Sequence, residues 1–454
     1  MIASDIQALA IGTARLVVDG TDEELCRKAE FSLSPGRAKA RRLRTLVDLS
    51  REVYNAALEH RRDAWRMAGV TVSTFDQFNE ISELRVFRRD VASFGNQFVR
   101  GSISRVDEAF SAFFRRCRAG ETPGFPRFKS CKRFCTAFYD EPCCWGLKGL
   151  EGEDPILYVH GVGQIPVSKQ AVRQLRRLSE RGGEPRTLTI TRQPSGSWRA
   201  CVGFRGVAAK KLPPKTEVGG VDRGIAVTAA LPDGALLEMP KFLADARDEI
   251  AELSGLRELE MKGSSEWRRL NKQIAKAYRK ARARSENWAR HAGIEIVARY
   301  GVIAIEWLKL VKMTKSARGT KENPGKNVKA KSGLNRSLQD AALGRLAFWI
   351  CVKAEEAGRR VYKVNPVDSS RECAACGHID PKNRFGAKFY CLRCHHTEHA
   401  DVNAAQVIAA RGQAANAAWV AMGSPALSRP VPRKLRRKRD QLYGAGSAPC
   451  AAVA

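Results

Sequence analysis

No run of about 18 consecutive apolar residues occurs in the chain, which excludes a bilayer-spanning helix. The opening stretch, "MIASDIQALAIGTARL", lacks the basic start and long apolar core of a signal peptide, so an intracellular, cytoplasmic protein is expected. Negative charge is also scarce. Against 79 Lys+Arg stand 48 Asp+Glu, a net charge of +31, and the pI is near 10.0. An excess of that size calls for a polyanionic partner, because each neutralised phosphate releases condensed counterions. With no membrane segment, nucleic acid is the expected partner rather than a lipid surface. The 13 cysteines are an odd number in a chain without a secretion signal, which argues against a disulfide framework and for reduced thiols with a metal site. No internal repeat is present, and 454 residues allow two to four compact units.

Residues 1–35 read as strand-like. From "RAKARRLRTLVDLSREVYNAALEHRRDAWRMAG" the pattern turns helical, with Val53, Tyr54, Ala57, Leu58 and Trp65 on one face. A second amphipathic helix carries Val106, Ala109, Phe110, Phe113 and Phe114. "TPGFPRFKSCKRF" then alternates aromatic and basic residues. It reads equally as a backbone-contacting, base-stacking segment, through Arg127, Lys129, Lys132 and Arg133, or as an edge strand with a solvated basic face. "RTLTITR" and "SWRACVGFR" flank a turn and predict a hairpin. "KKLPPK" (210–215) is the best linker in the chain. "VGGVDRGIAVTAALPDGALLEM" predicts another hairpin turning at Asp233-Gly234. Residues 240–300 read as basic helices, and "GVIAIEWLKL" as a central strand. A basic loop is expected over 314–333, then one helix over 335–357 and a strand, "RRVYKVNP". Beyond about residue 420 a basic Pro/Ala/Gly-rich tail has the composition of a disordered segment.

Cys373-x-x-Cys376 and Cys391-x-x-Cys394 are separated by 14 residues. Two such knuckles complete a tetrahedron of thiolates, the donor set of a zinc ribbon. Four thiolates leave no open position, so zinc there is structural. His395, His396 and His399 could substitute as ligands, and a redox dithiol is the alternative reading. Cys131, Cys135, Cys143 and Cys144 suggest a second site, although buried or free thiols explain them as well.

Three acids stand where folding alone would not put them. Asp222 interrupts the apolar "GGVDRGIAV", and Glu306 lies inside "VIAIEWL". A carboxylate in a buried strand is costly unless paired or bound to a cation. Asp401 opens "ADVNAAQVIAA", where a helix N-cap is the plain reading. Taken together, the order of elements fits an RNase H-like fold, in which three converging carboxylates bind two Mg2+ ions about 4 Å apart on a phosphodiester.

On those same segments, from about 215 to 412, the chain resembles TnpB, the RNA-guided nuclease of insertion sequences, and equally the small type V CRISPR effectors. "GVDRGIAVT", "VIAIEWLKL", "SARGTKENPGKNVKAKSGLNRSL", "VNPVDSSRECAACGHIDPKNR" and "CLRCHHTEHADVNAA" carry the resemblance. It implies a multidomain, bilobed α+β protein with a β-barrel-like wedge domain, a helical recognition lobe and a RuvC-type, RNase H-like α/β nuclease domain with an inserted zinc ribbon. The implied segments are 1–49 and 123–209 for the wedge and 50–122 for the recognition lobe. The nuclease domain would occupy 216–367, the ribbon 368–399, the last nuclease helix 400–418 and the tail 419–454. The activity implied is Mg2+-dependent, RNA-guided cleavage of double-stranded DNA in a prokaryotic cytoplasm, by a monomer or homodimer. The catalytic positions would be Asp222, Glu306, Asp401 and Arg384; the zinc positions would be the four cysteines. Arg127, Lys129, Lys132, Arg133, Asn335 and Arg336 would contact nucleic acid. Two departures stand out: Glu306-Trp307-Leu308 where the family usually has Glu-Asp-Leu, and His399 where it often has Asn. Rival readings are a guide-directed binder that cuts little, an RNase H-like transposase or recombinase without a guide, and a non-catalytic zinc-ribbon binding module.

Overall fold

The computed structural model describes residues 10–424, apart from 12, 13, 132, 153, 154, 321 and 324. Lys132 and nearly all of the basic tail therefore lie outside the described residues. The chain divides into two compact units. One holds the segment up to Asp22, Ala209–Glu252 and everything from Ala277 onward; the other holds Glu23–Ala208 and Leu253–Lys276.

The first unit is built on a five-stranded sheet. Its strands are β1 (Ala10–Ile11), β2 (Ala14–Val18), β3 (Val218–Val221), β4 (Val302–Glu306) and β5 (Arg360–Val364), in the order β1-β2-β5-β4-β3. β3 and β5 both run parallel to β4, and β2 is antiparallel to β5. All five residues of β4 are buried, as expected of a central strand covered on both faces. One face of the sheet packs Ile303, Ile305 and Val361 against Leu346, Ile350 and Ala354. The other packs Ala304, Tyr362 and Val364 with Ile408 and Trp419. Those partners come from two helices, α2 (Leu343–Ala357) and α3 (Ala400–Ala421); a shorter helix, α1 (Val328–Asp340), precedes α2.

Helix α3 lies unusually close to the sheet. A Cβ on Gly220 of β3 would overlap the Ala405 carbonyl and Ala409 nitrogen, and one on Gly412 of α3 would overlap the Ala304 side chain. Gly220 in "VGGVD" and the alanines of "ADVNAAQVIAA" are thus two halves of one backbone-to-backbone contact, while Gly219 makes room for the Tyr300 ring on the other side. Asp401, Ala405, Ala409 and Gly412 recur at helical spacing, so the face that touches the sheet also carries Asp401.

The second unit contains a four-stranded antiparallel sheet, in the order Glu24–Leu33, Trp198–Ala208, Glu184–Arg192 and Thr136–Tyr139. A three-stranded meander over Trp145–Pro166 and the long helices Arg37–Ala68 and Gln97–Arg118 complete its core. The hairpin expected at "QPSGS" is present.

Several expectations need correction. β2, in the stretch read only as strand-like, pairs with β5 in the first unit's sheet, while the first long helix starts at Arg37, where the helical pattern begins. Trp65 and Phe114 lie 63% and 53% exposed instead of in an apolar seam. "GFPRFK" forms no strand, which removes the edge-strand reading. The hairpin at Asp233-Gly234 joins only Ala229–Ala230 to Leu236–Leu237, while Val218–Val221 pairs in parallel with β4. The expected loop over 314–333 ends early, because α1 starts at Val328. The single helix expected over 335–357 is two, broken where Ala342 takes a left-handed conformation (φ 48°). Gly344, two residues on, is the one local sign of that break; tertiary contacts flank it. An Arg223 N–H donates to the Leu343 carbonyl at 3.0 Å, and Arg247 pairs with Asp340 at 2.5 Å.

Candidate functional site

β3, β4 and α3 bring one acid each to the carboxyl-terminal edge of the parallel strands. Asp222 follows the last residue of β3 and is held by a two-way backbone bridge to Ala230 (2.9 and 3.2 Å). Glu306 ends β4 and is 6% exposed. Asp401 sits in the first turn of α3. It is not the N-cap: His399 is, its Nδ1 accepting the Asp401 N–H at 3.2 Å. The Asp401 carboxylate is thereby free for other work. Arg384 donates to it at 2.7 Å, so the sequence-predicted basic residue does meet the acid.

The electrostatics of the group are strained by design of position. Burial, and then the charges of Glu306 and Asp401, push Asp222 up to about 7; Arg384 and Arg223 pull it down. Burial also raises Glu306, against hydrogen bonds from Ser369 and Asp222 and the charge of Arg223. Two carboxylates that share a proton in this way are short of positive charge, and an all-oxygen donor set of that kind suits a hard divalent cation. Three partners were not foreseen from sequence. Ser369 Oγ donates to Glu306 Oε1 at 3.0 Å. The buried Arg223 guanidinium donates to the Glu306 carbonyl at 2.5 Å. Arg411 ties Asn365 and Val367 carbonyls (2.6 and 2.9 Å) and the Glu372 carboxylate to α3. A basic residue adjoining the first acid was the one visible signal.

The four cysteines form the second cluster. Their sulfurs all lie within 4.8 Å of one another, and the pairs Cys373–Cys394 and Cys376–Cys391 stand 3.6 Å apart. A tetrahedron with metal–sulfur bonds of about 2.3 Å has edges near 3.8 Å, so the spacing fits a four-thiolate metal site. Among the described residues no other group meets that criterion. Cys131, Cys135, Cys143 and Cys144 do not assemble a site, and the three histidines stay outside the cluster. Two asparagines brace it. Asn383 donates to the Arg371 and His378 carbonyls (3.0 and 3.2 Å) and accepts the Leu392 N–H at 3.1 Å. Asn403 accepts the Ala374 N–H at 3.0 Å and donates to the Glu372 carbonyl at 2.7 Å. The ribbon is therefore bolted to the helix that carries Asp401.

Of the remaining positions, Arg127, Arg133 and Arg336 are exposed. Lys129 exchanges backbone hydrogen bonds with the Asn55 side chain at 2.8 and 3.0 Å. Asn335 donates to the Thr314 and Lys315 carbonyls (3.1 and 3.4 Å), so its amide pins the preceding loop to α1 instead of facing solvent.

Residues 344–408, which span α2, β5, the ribbon and Asp401, match the Cas12f1-like TNB domain. Over 392 residues the chain is 27% identical to InsQ of Escherichia coli (strain K12), whose name is that of a candidate RNA-guided DNA endonuclease; the alignment covers 85% of this chain and 92% of that one. A further stretch of 76 residues is 45% identical to the CRISPR-associated endodeoxyribonuclease Cas12f1 of Sulfoacidibacillus thermotolerans, covering 16% of this chain and 18% of that one. The fold resembles that of Cas12f1 in its complex with sgRNA and target DNA, with a TM-score of 0.52 at 14% identity over 81% of both chains. Among the described residues no helix is long and apolar enough to cross a membrane.

Proposed function

We propose that this protein is an RNA-guided DNA endonuclease whose cutting site is Asp222, Glu306 and Asp401. The observation that carries the reading is the convergence of three acids, 84 and 95 residues apart in sequence (306 − 222 and 401 − 306), at one edge of a parallel sheet. A parallel β3-β4-β5 core with an acid after the first strand, at the end of the next and on the last helix is the plan of an RNase H-like, RuvC-type domain. The names of the relatives supply the guide and the DNA substrate.

Magnesium fits the carboxylate cluster because its oxygens repel one another more than Arg384 and Arg223 offset. Asp222, Glu306 and Asp401 would hold two ions, which supply Lewis-acid charge at the scissile phosphodiester when bound. This chain's residues do the positioning. Ser369 and Arg223 fix Glu306, and Arg384 balances Asp401. Zinc fits the four thiolates in a structural role, and the exposed Arg127, Arg133 and Arg336 suit nucleic-acid backbones.

The test is to purify the protein with whatever RNA it retains, sequence that RNA and challenge the complex with double-stranded DNA matching it. A discrete RNA should copurify, and the matching DNA should be cut with Mg2+ by the wild type but not by Asp222→Ala. Absence of bound RNA would favour a guide-free recombinase; equal cutting by both proteins would remove the site.

A further inference from the structure

The residue after the buried acid is an aromatic on the surface. Trp307 continues the sheet ladder, its N–H donating to the Val364 carbonyl at 2.8 Å, yet its side chain is 37% exposed. It does not anchor the segment: Leu308 does that, packing on Leu338, Ala341 and Leu343. The indole is nevertheless held. The Arg15 guanidinium carbon stands 4.4 Å from the ring centroid. Arg15 comes from β2 and lies in register with Lys363 of β5, which is in turn paired with Ile305 of β4. Lys309, two residues on, is exposed. Among the described residues Arg15, Lys309 and Lys363 have no carboxylate within salt-bridge distance. One aromatic ring clamped by Arg15 thus sits one residue from Glu306, with Lys309 two residues along the chain and Lys363 in register with Arg15 on the neighbouring strand.

We propose that Trp307, clamped by Arg15 and flanked by Lys309 and Lys363, is a stacking platform for an unpaired nucleobase of the DNA strand presented to the carboxylates. The inference rests on the nuclease reading for the identity of that strand. Every base offers a π-face, so the platform is sequence-tolerant, while the cations take the flanking phosphates. The guanidinium fixes the indole before the strand arrives, which lowers the ordering cost of binding. A side chain kept only for folding would be buried at this size; a polar residue would serve on an exposed edge.

The experiment uses the full-length protein with its copurified RNA, in Glu306→Gln form so that DNA survives. Twelve-residue oligodeoxythymidylate carrying one 5-iodouracil is bound without divalent metal at about 0.3 M salt, where backbone electrostatics are weakened, then irradiated and the cross-linked peptide sequenced. The cross-link should map to Trp307. Adding Trp307→Ala should weaken binding of the same oligonucleotide roughly tenfold, in line with the loss of one stacked base, and Trp307→Phe should restore most of it. Equal melting temperatures would show that the variants fold alike. A cross-link elsewhere together with unchanged binding by Trp307→Ala overturns the platform, even if guided cleavage is confirmed. A missing guide or missing cleavage would instead overturn the nuclease reading, because the binding arm needs neither.

Discussion

The thiol cluster and the carboxylate cluster approach the same helix, α3, and handle charge in opposite ways. The cysteines come from two tight knuckles inside one 22-residue stretch, 373–394, and close on a single point. Two asparagines satisfy the backbone around them. The acids come from three distant segments and keep Asp222 near pH 7 in protonation because burial and mutual repulsion are left unrelieved. The first cluster is a finished structural device. The second stores unfavourable electrostatics that a cation and a phosphate would relieve, which is what a reaction site needs and a staple avoids.

The two should therefore break differently. The largest effect expected is on cleavage: Asp222→Asn or Asp401→Asn should lower the rate of guided DNA cutting by roughly 10⁴-fold, as when one member of a group acting as a unit is lost. Melting temperature should hold or rise in the metal-free Asp222→Asn protein. Cys373→Ser with Cys391→Ser should do the reverse in order of cause, melting the ribbon first. Structural zinc contributes about 10–16 kcal/mol in isolated fingers, so metal analysis should show zinc lost and thermal scans a new low-temperature transition, with cleavage falling because Asp401 loses its footing.

A pH series sharpens the contrast. Asp222 has an ordinary value of 3.8 and a folded value of about 7, so the folded chain keeps a proton that the unfolded chain releases. Asp222's contribution to the stability of the metal-free protein is therefore full below about pH 4 and is lost as pH rises through about 7. Asp222→Asn should flatten that slope in thermal melts, and an unaltered slope would contradict the assignment. The smallest effect concerns Ser369→Ala. Removing its hydrogen bond to Glu306 should cost about 1 kcal/mol of stability or less and raise the Mg2+ concentration for half-maximal cutting a few-fold.

These differences also explain what could be read in the letters. The ribbon was legible because its information is local: a Cys-x-x-Cys knuckle is the same wherever it occurs. Asp222 and Glu306 were legible for another reason, since an acid inside an apolar strand is costly enough to demand an explanation. Ser369, Arg223 and Arg411 were not, because Ser and Arg are ordinary on surfaces and only the folded chain turns them toward the acids. The break at Ala342 was hidden for the same cause: only Gly344 hints at it locally, and Arg223 holds the Leu343 carbonyl just beyond it. The pairing of β2 with β5 joins residues more than 340 positions apart (361 − 18 = 343), which no local pattern encodes.

The close seat of α3 on β3 has a consequence for how such chains can vary. Between Asp222 and Glu306 the polypeptide leaves the sheet and returns, so residues can be added or removed there without moving either acid. From Asp401 to Gly412 there is no such slack. A single inserted residue would turn the helix by about 100°, carry Asp401 off its face and place side chains where Gly220 and Ala304 leave room only for backbone. Length should drift freely in the first interval across natural variants and stay frozen over those twelve positions.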